Sequence, residues 1–111
     1  MEGLSVLTAL ADPTRQKLLD SLRHKPLPVG ELARHLPVSR SAVSQHLKIL
    51  KEAQLVAERR QGTRHYFSLS PAGFGQLREY VDSMWQDALN SFAAYVSEQK
   101  KVSTKPARRT R

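Results

Sequence analysis

The sequence predicts a mainly α-helical domain carrying one small β-hairpin, and three observations predict it. From Ser39 to Leu55, Val43, Leu47 and Leu50 fall at i, i+4 and i+7, with Ala42, Ile49 and Ala53 beside them. That is one buried stripe on a helix of roughly four turns. Directly after it, residues 55–60 and 64–69 are two strand candidates separated by Gln61-Gly62-Thr63. From Ser70 onward, apolar residues recur every three or four positions to about Gln99. A shorter apolar-periodic segment, 29–36, leads into the 39–55 helix through Leu36-Pro37-Val38. Two helices across so tight a turn, followed by a hairpin, make a winged helix-turn-helix of order α-α-α-α-β-β-α. A long C-terminal dimerisation helix completes it.

Taken in order, Leu4, Val6, Leu7, Leu10 and Ala11 form a short apolar helix ending near Asp12. Asp12-Pro13 starts the second helix, with Asp as N-cap and Pro at the first helical position. It is expected to run to His24, with Leu18, Leu19 and Leu22 inward and Arg15, Gln16, Lys17 and Arg23 outward. Lys25-Pro26-Leu27-Pro28 reads as a rigid connector. The third helix buries Leu32, Ala33 and Leu36, and its cap position holds Pro28, which offers no side-chain oxygen. Ser39 is the N-cap of the fourth helix.

The outer face of that helix carries Arg40, Ser41, Ser44, Gln45, Lys48, Lys51 and Glu52. Short or forked hydrogen-bonding groups with a few cations suit a helix laid in the major groove of DNA. His46 borders Ala42 and Ile49 on the helical wheel, so a DNA contact and a half-buried structural role both remain open. In the second strand His65, Phe67 and Leu69 share one face, and Arg64, Tyr66 and Ser68 the other. A hairpin tipped with Arg59, Arg60 and Arg64 is a wing suited to phosphate or a minor groove. In the last helix Leu77, Val81, Met84, Ala88, Phe92 and Val96 form a stripe that Tyr80, Trp85, Leu89 and Tyr95 widen. An apolar face larger than its own core predicts a partner helix from a second copy. Leu4 and Leu7 of the first helix would assist Val81, Met84, Trp85, Ala88, Leu89 and Phe92 in that dimerisation surface. A ligand pocket at Met84 and Trp85 is the alternative, but a helical apolar stripe needs no ligand to explain it.

With 111 residues and no internal repeat, the chain is expected to hold one domain at 1–99 and a disordered basic tail at 100–111. The net charge of +8 is unevenly placed. The tail carries Lys100, Lys101, Lys105, Arg108, Arg109 and Arg111 without an acid, so the remaining twelve basic and ten acidic residues leave +2. Within 40–64, six cations face only Glu52 and Glu58. Cation density so localised is the footprint of a polyanion binder, here double-stranded DNA. Cysteine is absent, which excludes disulfides and thiolate metal sites. No apolar run approaches a membrane span, so a cytoplasmic protein without membrane attachment is expected.

Three ordered motifs resemble the ArsR-type winged-helix repressors across about residues 4–98. ALADPTRQKLLDSL at 9–22 is similar to their second-helix signature, and SAVSQHLKILKEAQLV at 41–56 to their reading helix and its exit. Gln54 stands where many members carry glycine. Arg59-Arg60-Gln61-Gly62 and Tyr66-Phe67-Ser68-Leu69 resemble their wing. The resemblance implies a homodimer built on the first and last helices that binds a partly palindromic operator and blocks transcription. Many members sense metals through cysteines near the reading helix, or through His and carboxylates on the last helix. Here His24, His35, His46 and His65 all lie outside the last helix, whose central acids are Glu79, Asp82 and Asp87. No metal or other cofactor is therefore expected, and the chain is similar to the metal-independent subgroup with a tryptophan in the last helix. The inducer, if any, is left open.

Catalytic readings find little. Ser97 and Lys100 have the spacing of a hydrolase dyad, but no pocket or oxyanion site accompanies them. No phosphate loop, paired-carboxylate site or metalloprotease motif occurs. A protein-interaction module using the same helix face is the alternative of a different class. The basic wing argues against it.

Overall fold

The computed structural model describes residues 2–103, with side chains for 3–100. In chain order the elements are α1 (Glu2–Leu10), α2 (Pro13–Ser21), β1 (Leu27–Pro28), α3 (Val29–Arg34), α4 (Arg40–Glu52), β2 (Val56–Gln61), β3 (Arg64–Leu69) and α5 (Pro71–Ser103). The chain divides into two compact units, one ending at Tyr80 and one beginning at Val81.

The first unit is organised around Leu18, Leu32, Val43, Leu47, Leu50, Leu55 and Val56, all at most 2% exposed. Val6 and Ala9 add the inner face of α1, and Phe67 that of β3. Among the described residues no polar or charged residue is buried with them. Specificity of folding therefore rests on helix ends and turns rather than on buried polar pairs. At the start of α2, the Asp12 carboxylate accepts from the Arg15 N–H at 3.0 Å, with Pro13 in the first helical turn. At the start of α4, the Ser39 hydroxyl accepts from the Ala42 N–H at 3.0 Å. Pro28 precedes α3 without a side-chain cap, as its chemistry requires.

The end of α4 is the sharpest feature of the backbone. Leu55 N–H donates to Leu50 C=O at 2.9 Å and Gln54 N–H to Lys51 C=O at 3.0 Å. This is the paired closure of a Schellman motif. It places Gln54 at φ 62, the left-handed region that glycine occupies without cost. Gly73 then donates its N–H to the Gln54 carbonyl at 2.7 Å. A Cβ at position 73 would overlap that carbonyl, so glycine is required for α5 to start against the exit of α4.

Four expectations change in detail. The 25–28 segment is more than a connector: Leu27 pairs with Phe67 and Pro28 with Tyr66, giving an antiparallel sheet of order β1-β3-β2. Two residues are too few to show alternation, and proline is tolerated because this strand lies at the sheet edge. The second helix stops at Ser21 rather than His24, closed by Leu22 N–H on Leu18 and Leu19 carbonyls. Pro26 disfavours helical backbone just before it. Gln61 belongs to β2, opposite Arg64, so the hairpin turn is the two residues Gly62-Thr63. Gly62 at φ +65 takes the first central position, as in a type II′ turn. Ile49, placed beside the buried stripe by its spacing, is 40% exposed.

The unit from Val81 is helical through Ser103, and every residue from Val81 to Lys100 is exposed. The helix passes the expected end at Gln99 because no breaker occurs before Pro106. The remainder of the expected tail, 104–111, lies outside the described residues.

Candidate nucleic-acid interface

The face of α4 turned from the core presents Arg40, Ser41, Ser44, Gln45 and Lys48, all exposed. They stand on a helix anchored at both ends by the Ser39 cap and the Schellman closure, with Val43, Leu47 and Leu50 as its fixed underside. A rigid helix of 13 residues with a polar outer face can hold side chains in register against base edges.

His46 is placed differently. Its imidazole is half-buried, with Nδ1 3.4 Å from the Arg15 guanidinium and 3.9 Å from an Asp12 carboxylate oxygen. Arg15 in turn donates through Nε to the Ala9 carbonyl at 2.6 Å. The ADPTR stretch thus ties the end of α1, the start of α2 and the middle of α4 together. Arg15, expected to point outward, is drawn in by the Ala9 and Thr8 carbonyls at the end of α1 and by His46 Nδ1 on α4. The N–H of Arg15, with the guanidinium and His46 adding to it, holds the Asp12 carboxyl below its usual range.

The hairpin distributes its cations over two faces. Cross-strand partners share a face, so Arg59 opposite Tyr66 and Gln61 opposite Arg64 lie on one, and Arg60 opposite His65 on the other. Arg59, Lys25, Gln61, Tyr66 and Ser68 line a shallow depression on the outer face. Arg60 donates to the Gly62 carbonyl at 3.3 Å and remains exposed.

Lys51 and the wing meet through Glu58, an acid to which the sequence alone assigns no role. Glu58, on β2, accepts from Lys51 Nζ at 2.9 Å and contacts His65 Nδ1 at 2.6 Å. The hydrogen bond from Lys51, followed by that from His65, holds the Glu58 carboxyl below its usual range. The two-residue turn at Gly62-Thr63 contains the signal that would have found this group. It sets Glu58 opposite Phe67, diagonal to His65 on the same face.

The expected dimerisation residues are exposed on the single chain. Leu4 is 50% accessible, Trp85 64% and Phe92 65%, and Leu7, Val81, Met84, Ala88 and Leu89 are exposed as well. Leu77, earlier in the same stripe, packs on the core instead. His24 and His35 are exposed near helix ends. Among the described residues no three His, Cys, Asp or Glu side chains converge as a metal ion would need, and no helix is long and apolar enough to cross a membrane.

Residues 12–58, which span the Asp12 cap, the helix-turn-helix and the first half of β2, match the family described as "Bacterial regulatory protein, arsR family". The HTH-type transcriptional regulator Rv2034 of Mycobacterium tuberculosis is 52% identical over 91 residues, 82% of this chain and 85% of that protein. The transcriptional repressor SdpR of Bacillus subtilis is 39% identical over 66 residues, 60% of this chain and 73% of that one. The solved ArsR-like transcriptional regulator from Rhodococcus sp. RHA1 superposes with a TM-score of 0.77 at 27% identity, covering 92% of each chain. The matched residues and a relative more than half identical across 85% of its own length show the family: the chain belongs to the arsR family of bacterial regulatory proteins.

Proposed function

We propose that this protein is a homodimeric transcriptional repressor that binds a partly palindromic DNA operator through α4 and the β2–β3 wing. The observation that carries the reading is the exposed row Arg40, Ser41, Ser44, Gln45 and Lys48 beside a wing bearing Arg59, Arg60 and Arg64. Family membership and relatives named as transcriptional regulators, one as a repressor, support it. In this reading Gln45 is the base reader, since its terminal amide both donates and accepts, as an adenine edge in the major groove requires. Ser41 and Ser44 are short enough to let the helix approach closely. Arg40, Lys48 and the wing arginines neutralise phosphates, and Lys51, paired with Glu58, borders that set. His46 acts by orienting α4 through Asp12 and Arg15. The protein works as a regulator rather than a catalyst, in the cytoplasm where the DNA is, with no cofactor.

The second copy completes the mechanism. Leu4 and Leu7 on α1 and Val81, Met84, Trp85, Ala88, Leu89 and Phe92 on α5 form the dimer contact. An exposed apolar set of this size on one chain supports a protein partner. Each copy then reads one half-site, and half-sites about one helical turn or a multiple apart are read together. The domain at 1–99 holds both functions, and the basic tail adds sequence-independent affinity.

Competition binding against the footprinted operator and a random duplex tests the reading. Gln45→Ala should cost roughly 1–3 kcal/mol on the operator and little on random DNA. Equal losses on both would show that α4 does not read sequence, and the proposal would fail.

A further inference from the structure

Six cations and two acids occupy residues 40–64, and one of those acids, Glu58, sits between Lys51 and His65. Its neighbours are 54% and 51% exposed at the side chain, and Glu58 itself 26%. An ion pair so open to solvent adds little to folding, so stability is a weak reason for an acid on a face proposed to bind a polyanion. The group borders the groove between α4 and the wing, which Ser44 and Lys48 also line over a floor of Leu47 and Phe67. Lys51 and His65 therefore face the same opening as the proposed DNA contacts, each already engaged by one oxygen of the same carboxylate.

We infer that Glu58 is a positioning residue of the DNA interface, an internal counter-ion that occupies Lys51 and His65 and so limits sequence-independent phosphate binding at the end of α4. The inference rests on the DNA-binding reading above. Its physical basis is counter-ion release. A free lysine sheds a phosphate's condensed cation when it binds DNA, adding about 0.9 to the slope of log affinity against log salt. A lysine whose charge is met by Glu58 must first give up that contact, so most of the gain cancels. On random DNA every register is sampled, and a freed Lys51 would find a phosphate in nearly all of them. Base contacts through Gln45 are untouched, because Glu58 stands on the wing. The carboxylate thus lowers background binding without entering the sequence readout.

The experiment is binding of the full chain to a random-sequence duplex across a salt series. Glu58→Gln should raise affinity about threefold at moderate salt and steepen the slope by about 0.9. Adding Lys51→Gln to Glu58→Gln should return both quantities toward the wild-type values, whereas a purely structural role would leave the slope unmoved. Glu52→Gln, removing an acid that lines a different depression beside Ser5 and Arg15, controls for net charge and should steepen the slope much less. Should Glu58→Gln fail to fold, Glu58→Thr removes the same charge with a residue suited to a strand. An unchanged slope, weaker random-DNA binding, or an equal effect from Glu52→Gln would overturn the inference. Failure of the wild-type chain to prefer its operator over random DNA would instead remove the functional reading beneath it.

Discussion

Gln54 is the residue where local chemistry and local geometry disagree most. It occupies the left-handed position of a Schellman closure, where a non-glycine residue costs about 1–2 kcal/mol. Among the described residues its side chain receives an exposed hydrogen bond from Gln76 at 3.1 Å in return. Gln54→Gly should therefore stabilise the protein by about 1 kcal/mol, read as a rise in Tm by thermal denaturation. Gly73→Ala should do the opposite by about 1–3 kcal/mol, since the new methyl meets the Gln54 backbone rather than a flexible side chain. If it melts like the wild type, the packing of α5 on the exit of α4 is wrong. Asp12 and Glu58 set the acid limb of stability. Both carboxyls titrate lower in the native chain than in the unfolded one. The native state therefore binds fewer protons in the acid range, and their contribution, full above the unfolded carboxylate pKa, is lost as pH falls through the depressed native value. Asp12→Asn keeps a capping oxygen and removes the charge. Melting temperatures from neutral pH to about pH 3 should then fall less steeply than in the wild type.

At the level of elements, the proposed mechanism divides tasks between α4 and the wing by side-chain length and by how firmly each is held. The helix is fixed at both ends, so Gln45 would return to the same place at each encounter. The hairpin is two strands joined by Gly62-Thr63, and its arginines lie on two faces. Long cations on such a support find phosphate more readily than one particular base edge. Arg60→Ala should weaken operator and random DNA by similar factors and reduce the salt slope by roughly one. A loss confined to the operator would make the wing a sequence reader. Ser39→Ala removes the oxygen that meets the Ala42 N–H and should cost about 1 kcal/mol of stability. Operator binding should weaken with it, because the reading helix frays at the end that carries Arg40 and Ser41.

For the whole molecule, the proposed dimer makes the long final helix decide how many half-sites are read. At 33 residues it is about 50 Å long, and Trp85, Leu89 and Phe92 along it are exposed in a single chain. Replacing Trp85 and Leu89 together by Ala should yield monomers in sedimentation equilibrium and a large loss of operator affinity, because the two half-sites are no longer engaged together. A stable wild-type monomer at micromolar concentration would remove the dimer mechanism. Truncation after Ser103 deletes Lys105, Arg108, Arg109 and Arg111 while leaving α5 whole. It should flatten the salt dependence and leave the operator-to-random ratio nearly unchanged. Loss of that ratio would make the tail a reader instead.

Much was legible in the linear order of residues, because it rests on local rules. The stripe Val43, Leu47, Leu50, the Ser39 and Asp12 caps and the alternation of His65, Phe67 and Leu69 all follow from 3.6- and 2-residue periods and from side chains bonding to their own neighbourhood. The exposed row on α4 followed from the same wheel. What needed the fold was contact between segments far apart in the chain. Leu27–Pro28 became a strand only because Phe67 and Tyr66 lie alongside it. Arg15 turned inward because the end of α1 and the middle of α4 present acceptors to it. The charges of Lys51, Glu58 and His65 form one group only once β2 packs beside α4. Sequence periodicity determined the buried stripes and the exposed row of α4, though not Arg15 or Ile49; tertiary packing alone decided which outward-facing polar groups hold one another, because that depends on distances of a few ångströms between elements that no local rule sets.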